Sequence, residues 1–511
     1  MKVRLLYPDR DADFTRTTDR ESEHIVADLG MGGLITTIAA GDPYVADVMT
    51  VSLFDLLTDV EAIRYRQSAL ADAVKNADTV VELYRLSGSA IDDLRKHIFY
   101  SLGRLSPEQY MNRSLSVVDS LSVRLRELAE LVGRVRRDFA SRPFGDFFDE
   151  CARLLTPQRL DEVARHLREV SFDHGALLSV RLGEGVRGTD YTMVKPAQHG
   201  LLDRVFAERG LSFQIAPRDV TGAKIVGELR GRGVREVAGT LADAADTMER
   251  FFRALHWEAA FYIGAARLFE LLESAHGRVC LPVPVPLAEP VFAVEDLYDP
   301  ALALHLGRDV VPSGIDAGTG RLVVVTGANQ GGKSTFLRAV GQAQLMMQAG
   351  LPVAASGMRA QVRSALFTHF KREEDREMVS GKLDEEMARM SRIIDAMPPS
   401  ARGSSIFLFN ESFASTNEGE GAQIAEGIVG ALLESGHRVF FVTHMYELAR
   451  RLYEQASPAD RASCFLRPQR RDDGTRTFRV VPAEPEPTSY GQDLYRQIFG
   501  AVTTSAPTKG G

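Results

Sequence analysis

Cysteine is scarce: Cys151, Cys280 and Cys464 are the only three in 511 residues, far apart and without a C-x-x-C pair. That spacing indicates neither a disulfide framework nor a zinc site, and leaves the three as small buried hydrophobes. Long apolar runs are missing too. No stretch approaches the roughly 20 residues that a membrane helix needs, and the amino-terminal MKVRLLYPDRDADF lacks the apolar core of a secretory signal. The expected location is the cytoplasm, with no membrane partner. An excess of positive charge is also absent. Lys and Arg number 61 against 69 Asp and Glu, a net charge of −8, which argues against a protein that coats nucleic acid by bulk charge and leaves a local basic groove open. Arginines gather at Arg134, Arg136, Arg137 and Arg142 and again at Arg230, Arg232 and Arg235, runs that are more often solvated faces than DNA contacts. What is present, 44% hydrophobic and 25% charged residues, is ordinary globular composition with length for roughly three or four compact units.

The most specific motif is GANQGGKS at 327–334, which fits G-x-x-x-x-G-K-[ST] and directly follows the apolar run 322–325. Glycines let successive backbone N–H groups turn toward β- and γ-phosphates, Lys333 adds a point charge, and the Ser334 hydroxyl reaches Mg²⁺. Residues 336–345 continue as an amphipathic helix, so the loop sits at a strand-to-helix turn, where a helix N-terminus favours anions. The sequence therefore predicts a site for ATP and Mg²⁺ built on Gly327, Ala328, Asn329, Gln330, Gly331, Gly332, Lys333, Ser334 and Thr335.

Upstream, Val118, Leu121, Leu125, Leu128, Val132, Val135 and Phe139 recur at spacings of three and four, as do Leu241, Ala245, Met248, Phe252, Leu255, Ala259, Tyr262, Ala266 and Phe269. Both patterns predict long helices packed along a narrow seam, either an antiparallel lever pair or two core helices of a bundle. Between them, strand-like runs at 177–182 and 212–215 and many glycines predict a small mixed insertion near 174–236. LPVPVPLAEP at 281–290 cannot continue a helix and marks the main boundary. Downstream, strand candidates at 322–325, 365–370, 406–409, 439–442 and 465–466 alternate with helices, the order of an α/β domain with a largely parallel sheet. The expected domains are an N-terminal segment 1–45, a helical core and lever domain 46–290, an α/β nucleotide domain 291–500, and a disordered tail 501–511.

A phosphate loop needs a second strand that ends in an acidic residue. SSIFLFNES at 404–412 supplies Asn410 and Glu411, with Glu411 as the candidate general base. The usual aspartate would bring a full charge to the metal's water shell, whereas Asn410 offers an uncharged carbonyl oxygen, which lowers the expected Mg²⁺ affinity or turnover. His444 follows RVFFVT at the strand edge where the ligand crevice of an open α/β sheet lies, and is a candidate γ-phosphate sensor. SGKLDEEMARMSRII at 380–394 reads as a helix opened by small residues, with Leu383, Met387, Met390 and Ile394 on its apolar face.

Taken in order, these segments resemble the MutS family of DNA mismatch repair ATPases, within the ABC-type group. TGANQGGKSTFLRAV resembles the family's TGPNMGGKST loop, and MMQAGLPVAA at 346–355 resembles the stretch that follows it. NESFASTNEGEG is similar to the family's Asp-Glu-x-Gly-Arg-Gly-Thr segment, VTHMYEL to its Thr-His switch, and Ser489, Tyr490 and Gly491 stand where it carries Ser-Tyr-Gly. Further upstream, LFDLLTDVEAIRYRQSAL at 53–70 resembles the entry to the family's helical core.

The resemblance implies an α/β P-loop (ABC-type) ATPase domain joined to an α-helical core and lever domain with a small mixed α/β insertion. It also implies a homodimer closing through the ATPase domains. In that dimer Ser380 plays the signature serine reaching the partner's γ-phosphate, Thr416 and Asn417 lie in the loop facing the opposite nucleotide, and His444 is the switch histidine. Catalysis falls to Glu411, Lys333, His444 and Ser380, and the Mg²⁺ shell to Ser334 and Asn410. Departures accompany the match. The stretch before the core is too short for mismatch-reading and connector domains, no Phe-x-Glu wedge appears, and no Smr nuclease domain follows, which sets the chain apart from the second MutS family. Two readings stay open: an ATPase of DNA repair or recombination that engages mismatched or non-standard duplex DNA alongside other repair proteins, and a slow ATP-gated scaffold that binds protein partners without touching DNA. A transporter ATPase subunit is disfavoured, because residues 380–383 do not spell Leu-Ser-Gly-Gly.

Overall fold

The computed structural model describes residues 1–99, 107–170, 177–182, 188–194, 220–276, 278–327, 330–371, 382–471 and 475–487. In chain order the helices are α1 (Arg20–Asp28), α2 (Gly32–Ala39), α3 (Pro43–Leu53), α4 (Val60–Lys75), α5 (Ala77–Phe99), α6 (Pro107–Val135), α7 (Arg142–Leu154), α8 (Pro157–Val170), α9 (Val220–His276), α10 (Pro300–Leu306), α11 (Lys333–Gln348), α12 (Lys382–Ala396), α13 (Glu418–Glu434), α14 (Tyr446–Gln455) and α15 (Pro458–Cys464). The strands are β1 (Leu177–Leu182), β2 (Gly188–Val194), β3 (Val283–Val285), β4 (Phe292–Leu297), β5 (Ser313–Asp316), β6 (Leu322–Val325), β7 (Gly357–Gln361), β8 (Leu366–Phe370), β9 (Ile406–Asn410), β10 (Arg438–Val442), β11 (Phe465–Arg470) and β12 (Arg476–Pro482). The chain divides into two compact units, residues 1–14 with 75–259, and residues 15–74 with 260–511. Among the described residues no helix is long and apolar enough to cross a membrane.

The first unit is mainly helical. Leu83, Leu94, Leu121, Leu128 and Val132 are buried along α5 and α6, and α7 inserts Phe144, Phe147 and Phe148. The predicted seam ends before Phe139, because α6 stops at Val135. Phe139 instead turns onto Phe144, with ring centroids 4.6 Å apart, beside the start of α7, where proline occupies the first turn. β1 and β2 form an antiparallel hairpin, Leu177 opposite Val194, where the first strand-like run was expected. The second, at 212–215, lies outside the described residues, as does the 501–511 tail. Three of the four arginines in the first cluster meet carboxylates: Arg134 with Glu82 at 2.7 Å, Arg136 with Asp149 at 4.0 Å and Arg142 with Asp146 at 3.3 Å. On α9, Glu258 is fully buried and accepts backbone N–H groups from Leu5, Leu6 (3.1 Å) and Ala12 (2.7 Å). Those donors satisfy a carboxylate that would otherwise be costly to bury.

The second unit is mixed α/β and holds two sheets. The six-stranded sheet runs β12-β11-β6-β10-β9-β8, parallel throughout except for β12, which pairs antiparallel with β11. LVVV, IFLF and VFFV are continuous apolar runs because central parallel strands are covered on both faces; Val323, Val324, Phe407, Leu408, Phe440 and Phe441 are almost wholly buried. A second sheet, β3-β7-β4-β5, is mixed. Helix α11 is buried along nearly its whole length, and its glutamines are consequently bonded rather than solvated: Gln342 Nε2 donates to the Leu29 carbonyl at 2.8 Å and Gln348 Nε2 to the Leu57 carbonyl at 3.0 Å.

Candidate functional site

Three strand ends lie level. Val325 of β6 pairs with Val442 of β10, and Val442 pairs with Asn410 of β9. Two backbone hydrogen bonds carry the alignment into the loops, Thr443 N to Val325 O at 3.1 Å and Glu411 N to Val442 O at 2.8 Å. The loops leaving these strands therefore open into one crevice at the carboxyl edge of the parallel sheet, the place where such sheets bind ligands. Each loop delivers part of the predicted set: the Gly-rich loop from β6, Asn410 and Glu411 from β9, and His444 from β10.

The Gly-rich loop enters α11 through Gly332, whose φ is +96°. A Cβ at that position would lie 2.9 Å from the Phe478 carbonyl oxygen, so both conformation and space require glycine. Gln330 is also left-handed, φ +61°, and its Oε1 accepts from Arg476 Nη1 at 3.0 Å. The β11–β12 hairpin thus braces the loop at two points. Lys333 opens α11 and is only 4% exposed; its Nζ donates to the Gly327 carbonyl at 2.8 Å and lies 3.8 Å from Glu411 Oε1. Burial lowers the pKa of its ammonium, and Glu411 opposes that shift.

The Ser334 hydroxyl donates to Asn410 Oδ1 at 2.9 Å. Glu411 follows in the left-handed region, φ +55°, with His444 Nδ1 3.9 Å from its Oε2. The neighbouring His444 ring, joined by Lys333 and Lys371, holds the Glu411 carboxyl below its ordinary pKa against the effect of burial. Ser334 and Asn410 present two hard oxygen donors side by side, a set that fits Mg²⁺, which takes few protein ligands and keeps water and phosphate for the rest. Among the described residues no group of three or more His, Cys, Asp or Glu could hold a metal by itself.

The structure thus brings together Lys333, Ser334, Asn410, Glu411 and His444, with Gly327, Gln330, Gly331, Gly332 and Thr335 along the same loop and first helical turn. Ala328, Asn329 and Ser380 lie outside the described residues, as do Ser489, Tyr490 and Gly491. Thr416 and Asn417 are described: Thr416 Oγ1 donates to Glu420 Oε2 at 2.5 Å, and Asn417 caps α13 by accepting from Glu420 N at 2.9 Å. A cavity of about 490 Å³ that no sequence motif signals lies beside the Gly-rich loop, walled by Val310, Val311, Gln330, Thr335, Phe336 and Phe478. Phe478 is 51% exposed with φ +62°. An exposed aromatic in that conformation is informative once seen, but TFRVV carries no sign of it.

Residues 58–275 match the family model of the MutS2 N-terminal domain, and residues 323–497 that of MutS domain V. The chain is similar to Endonuclease MutS2 of Anaeromyxobacter sp. (strain Fw109-5), 29% identical over 302 residues, which cover 56% of this chain and 36% of that relative. It is 32% identical over 224 residues to Endonuclease MutS2 of Symbiobacterium thermophilum, covering 42% and 26%, and 32% identical over 157 residues to DNA mismatch repair protein MutS of Haloquadratum walsbyi, covering 29% and 16%. The matched stretches span little more than a third of these relatives at most. The expectation that the chain stands apart from the second MutS family is corrected, since its N-terminal match is to a MutS2 domain.

Proposed function

Because the chain belongs to the MutS-related proteins, with a MutS2-type N-terminal match followed by MutS domain V, we propose that it binds Mg·ATP at residues 327–334 and hydrolyses it slowly, as a switch acting on duplex DNA in repair or recombination. The observation that carries this reading is the meeting of Lys333, Ser334, Asn410, Glu411 and His444 at three level strand ends. Lys333 and the loop N–H groups would hold the β- and γ-phosphates. Ser334 and Asn410 would hold the Mg²⁺ shell, and Mg²⁺, when bound, supplies charge neutralisation to the transferring phosphoryl group. Glu411, kept ionised by His444 and Lys333, is available to take a proton from the attacking water, and His444 to contact the γ-phosphate. The cavity at Val310, Val311 and Phe478 has the apolar walls and exposed ring that a planar base requires.

Dimerisation through the ATPase domains, with the partner's Ser380 completing each site, belongs to the same proposal. So does the cytoplasm as its location. Asn410 favours a second reading, a slow ATP-gated scaffold for protein partners, because it removes the carboxylate expected beside the metal. Binding to mismatched and plain duplexes over a salt series separates the two. Affinity that falls with rising salt supports DNA engagement, and no binding even at low salt overturns it. Steady-state hydrolysis with Mg²⁺ and with chelator tests the enzymatic part: turnover that does not depend on Mg²⁺ contradicts it.

A further inference from the structure

The turn after β9 is strained on both sides of one residue. Glu411 has φ +55° and Phe413 has φ +63°, and neither is glycine, so each costs on the order of 1–3 kcal/mol that its surroundings must offset. The Phe413 ring is fully buried and stacks on His369, centroids 5.2 Å apart at 17°. Gly421 makes room for this course of the chain, since a Cβ there would collide with the Phe413 carbonyl.

What holds the turn comes largely from Glu386 on α12. Its carboxylate accepts the Phe413 backbone N–H through Oε2 and the Ser415 hydroxyl, at 2.6 Å, through Oε1. Its backbone carbonyl lies 3.1 Å from His369 Nε2. A carbonyl only accepts, so Nε2 carries a proton; the Ser412 hydroxyl donates to the His369 backbone carbonyl at 2.5 Å, and its oxygen lies 2.8 Å from Nδ1. Burial disfavours a charged ring, pushing the His369 pKa down to about 4. Helix α12 is itself moored one turn later, where Arg389 donates to the Phe370 carbonyl at 2.9 Å and pairs with Asp28 at 2.8 Å. Ser412, Phe413 and Ser415 are therefore all fixed, directly or through His369, to one residue of α12.

We propose that Glu386 is a positioning residue, whose clamp on Phe413 and Ser415 fixes the strained turn that aims Glu411 into the crevice. This rests on the reading of Glu411 as the group that acts on the attacking water. A shift of about an ångström in such a group costs up to about 100-fold in rate. Glu386→Ala removes both acceptors. Glu386→Gln keeps one acceptor for Phe413 N–H and offers an N–H to the Ser415 oxygen, so it preserves the clamp.

The test measures kcat, KM and ATP affinity for wild type, Glu386→Ala and Glu386→Gln, with amide exchange followed at 411–415. The expected result is a fall in kcat of about 10-fold or more in Glu386→Ala, unchanged ATP affinity, rescue by Glu386→Gln, and faster exchange at Phe413 with β9 unaffected. Wild-type turnover in Glu386→Ala overturns the proposal, as does a loss that Glu386→Gln shares in full. If the wild type binds ATP without turning it over, the hydrolytic reading fails by itself. Exchange then decides the clamp: acceleration confined to 411–415 in Glu386→Ala supports it, and unchanged exchange overturns it.

Discussion

The Ser334 hydroxyl and the Asn410 side-chain oxygen meet at 2.9 Å, joining the first turn of α11 to the end of β9 where most phosphate-loop sites place an aspartate. Asn410→Asp keeps the acceptor for Ser334 and changes only the charge, so the substitution fits without repacking. It is expected to tighten the Mg²⁺ requirement and raise kcat several-fold, read from hydrolysis across a Mg²⁺ titration. A lower rate at every Mg²⁺ concentration shows instead that the site is built around the amide.

Glu411→Gln retains the side-chain shape and removes the base. ATP affinity should stay within about twofold while kcat falls by about 100-fold or more, the scale of general-base catalysis. Unchanged single-turnover hydrolysis rules out Glu411 as the base.

Phe478 forms an exposed wall of the cavity beside the Gly-rich loop. Stacking on a base is worth about 1–3 kcal/mol, so Phe478→Ala should weaken ATP binding by about 10-fold or more and leave competition by inorganic triphosphate unchanged. Equal weakening of both ligands places the base elsewhere.

Glu258 supplies a prediction about pH. Burial pushes its carboxyl up to about 7, while the N–H groups of Ala12, Leu5 and Leu6 hold it back. The folded state therefore binds this proton more tightly than the unfolded chain does, and the stabilisation is complete below the unfolded value of 4.5 and lost as pH rises toward 7. Glu258→Gln does not titrate. The difference in Tm, wild type minus Glu258→Gln, should accordingly shrink between pH 5 and pH 8, and a difference that grows with pH contradicts the assignment. Glu258→Ala removes the acceptor shared by three backbone N–H groups and should cost about 2–5 kcal/mol.

The parallel sheet was legible because its strands are buried on both faces: LVVV, IFLF and VFFV admit few other structures, and β6 begins and ends where the sequence predicts. The strand-to-helix turn at the Gly-rich loop was legible because an apolar run ends directly before it and Gly332 leads into α11. Glu386 was not, since it reads as one charge among several on an amphipathic helix, and its importance arises only when α12 lies against a turn 25 residues or more downstream. The conformation of Phe413 was not legible for a related reason: sequence shows a hydrophobic residue, and only the backbone reveals a left-handed one. The buried glutamines of α11 likewise carry no local sign, because the carbonyls they satisfy, such as those of Leu29 and Leu57, belong to distant parts of the chain.

Isothermal titration of Mg·ATP into wild type and Lys333→Ala bears most directly on the nucleotide site. Saturable binding by the wild type that requires Mg²⁺ and weakens by about 100-fold or more in Lys333→Ala, on the scale of losing a buried charged partner, is the expected result. Equal affinity in the two proteins, or no binding by a folded wild type, contradicts it.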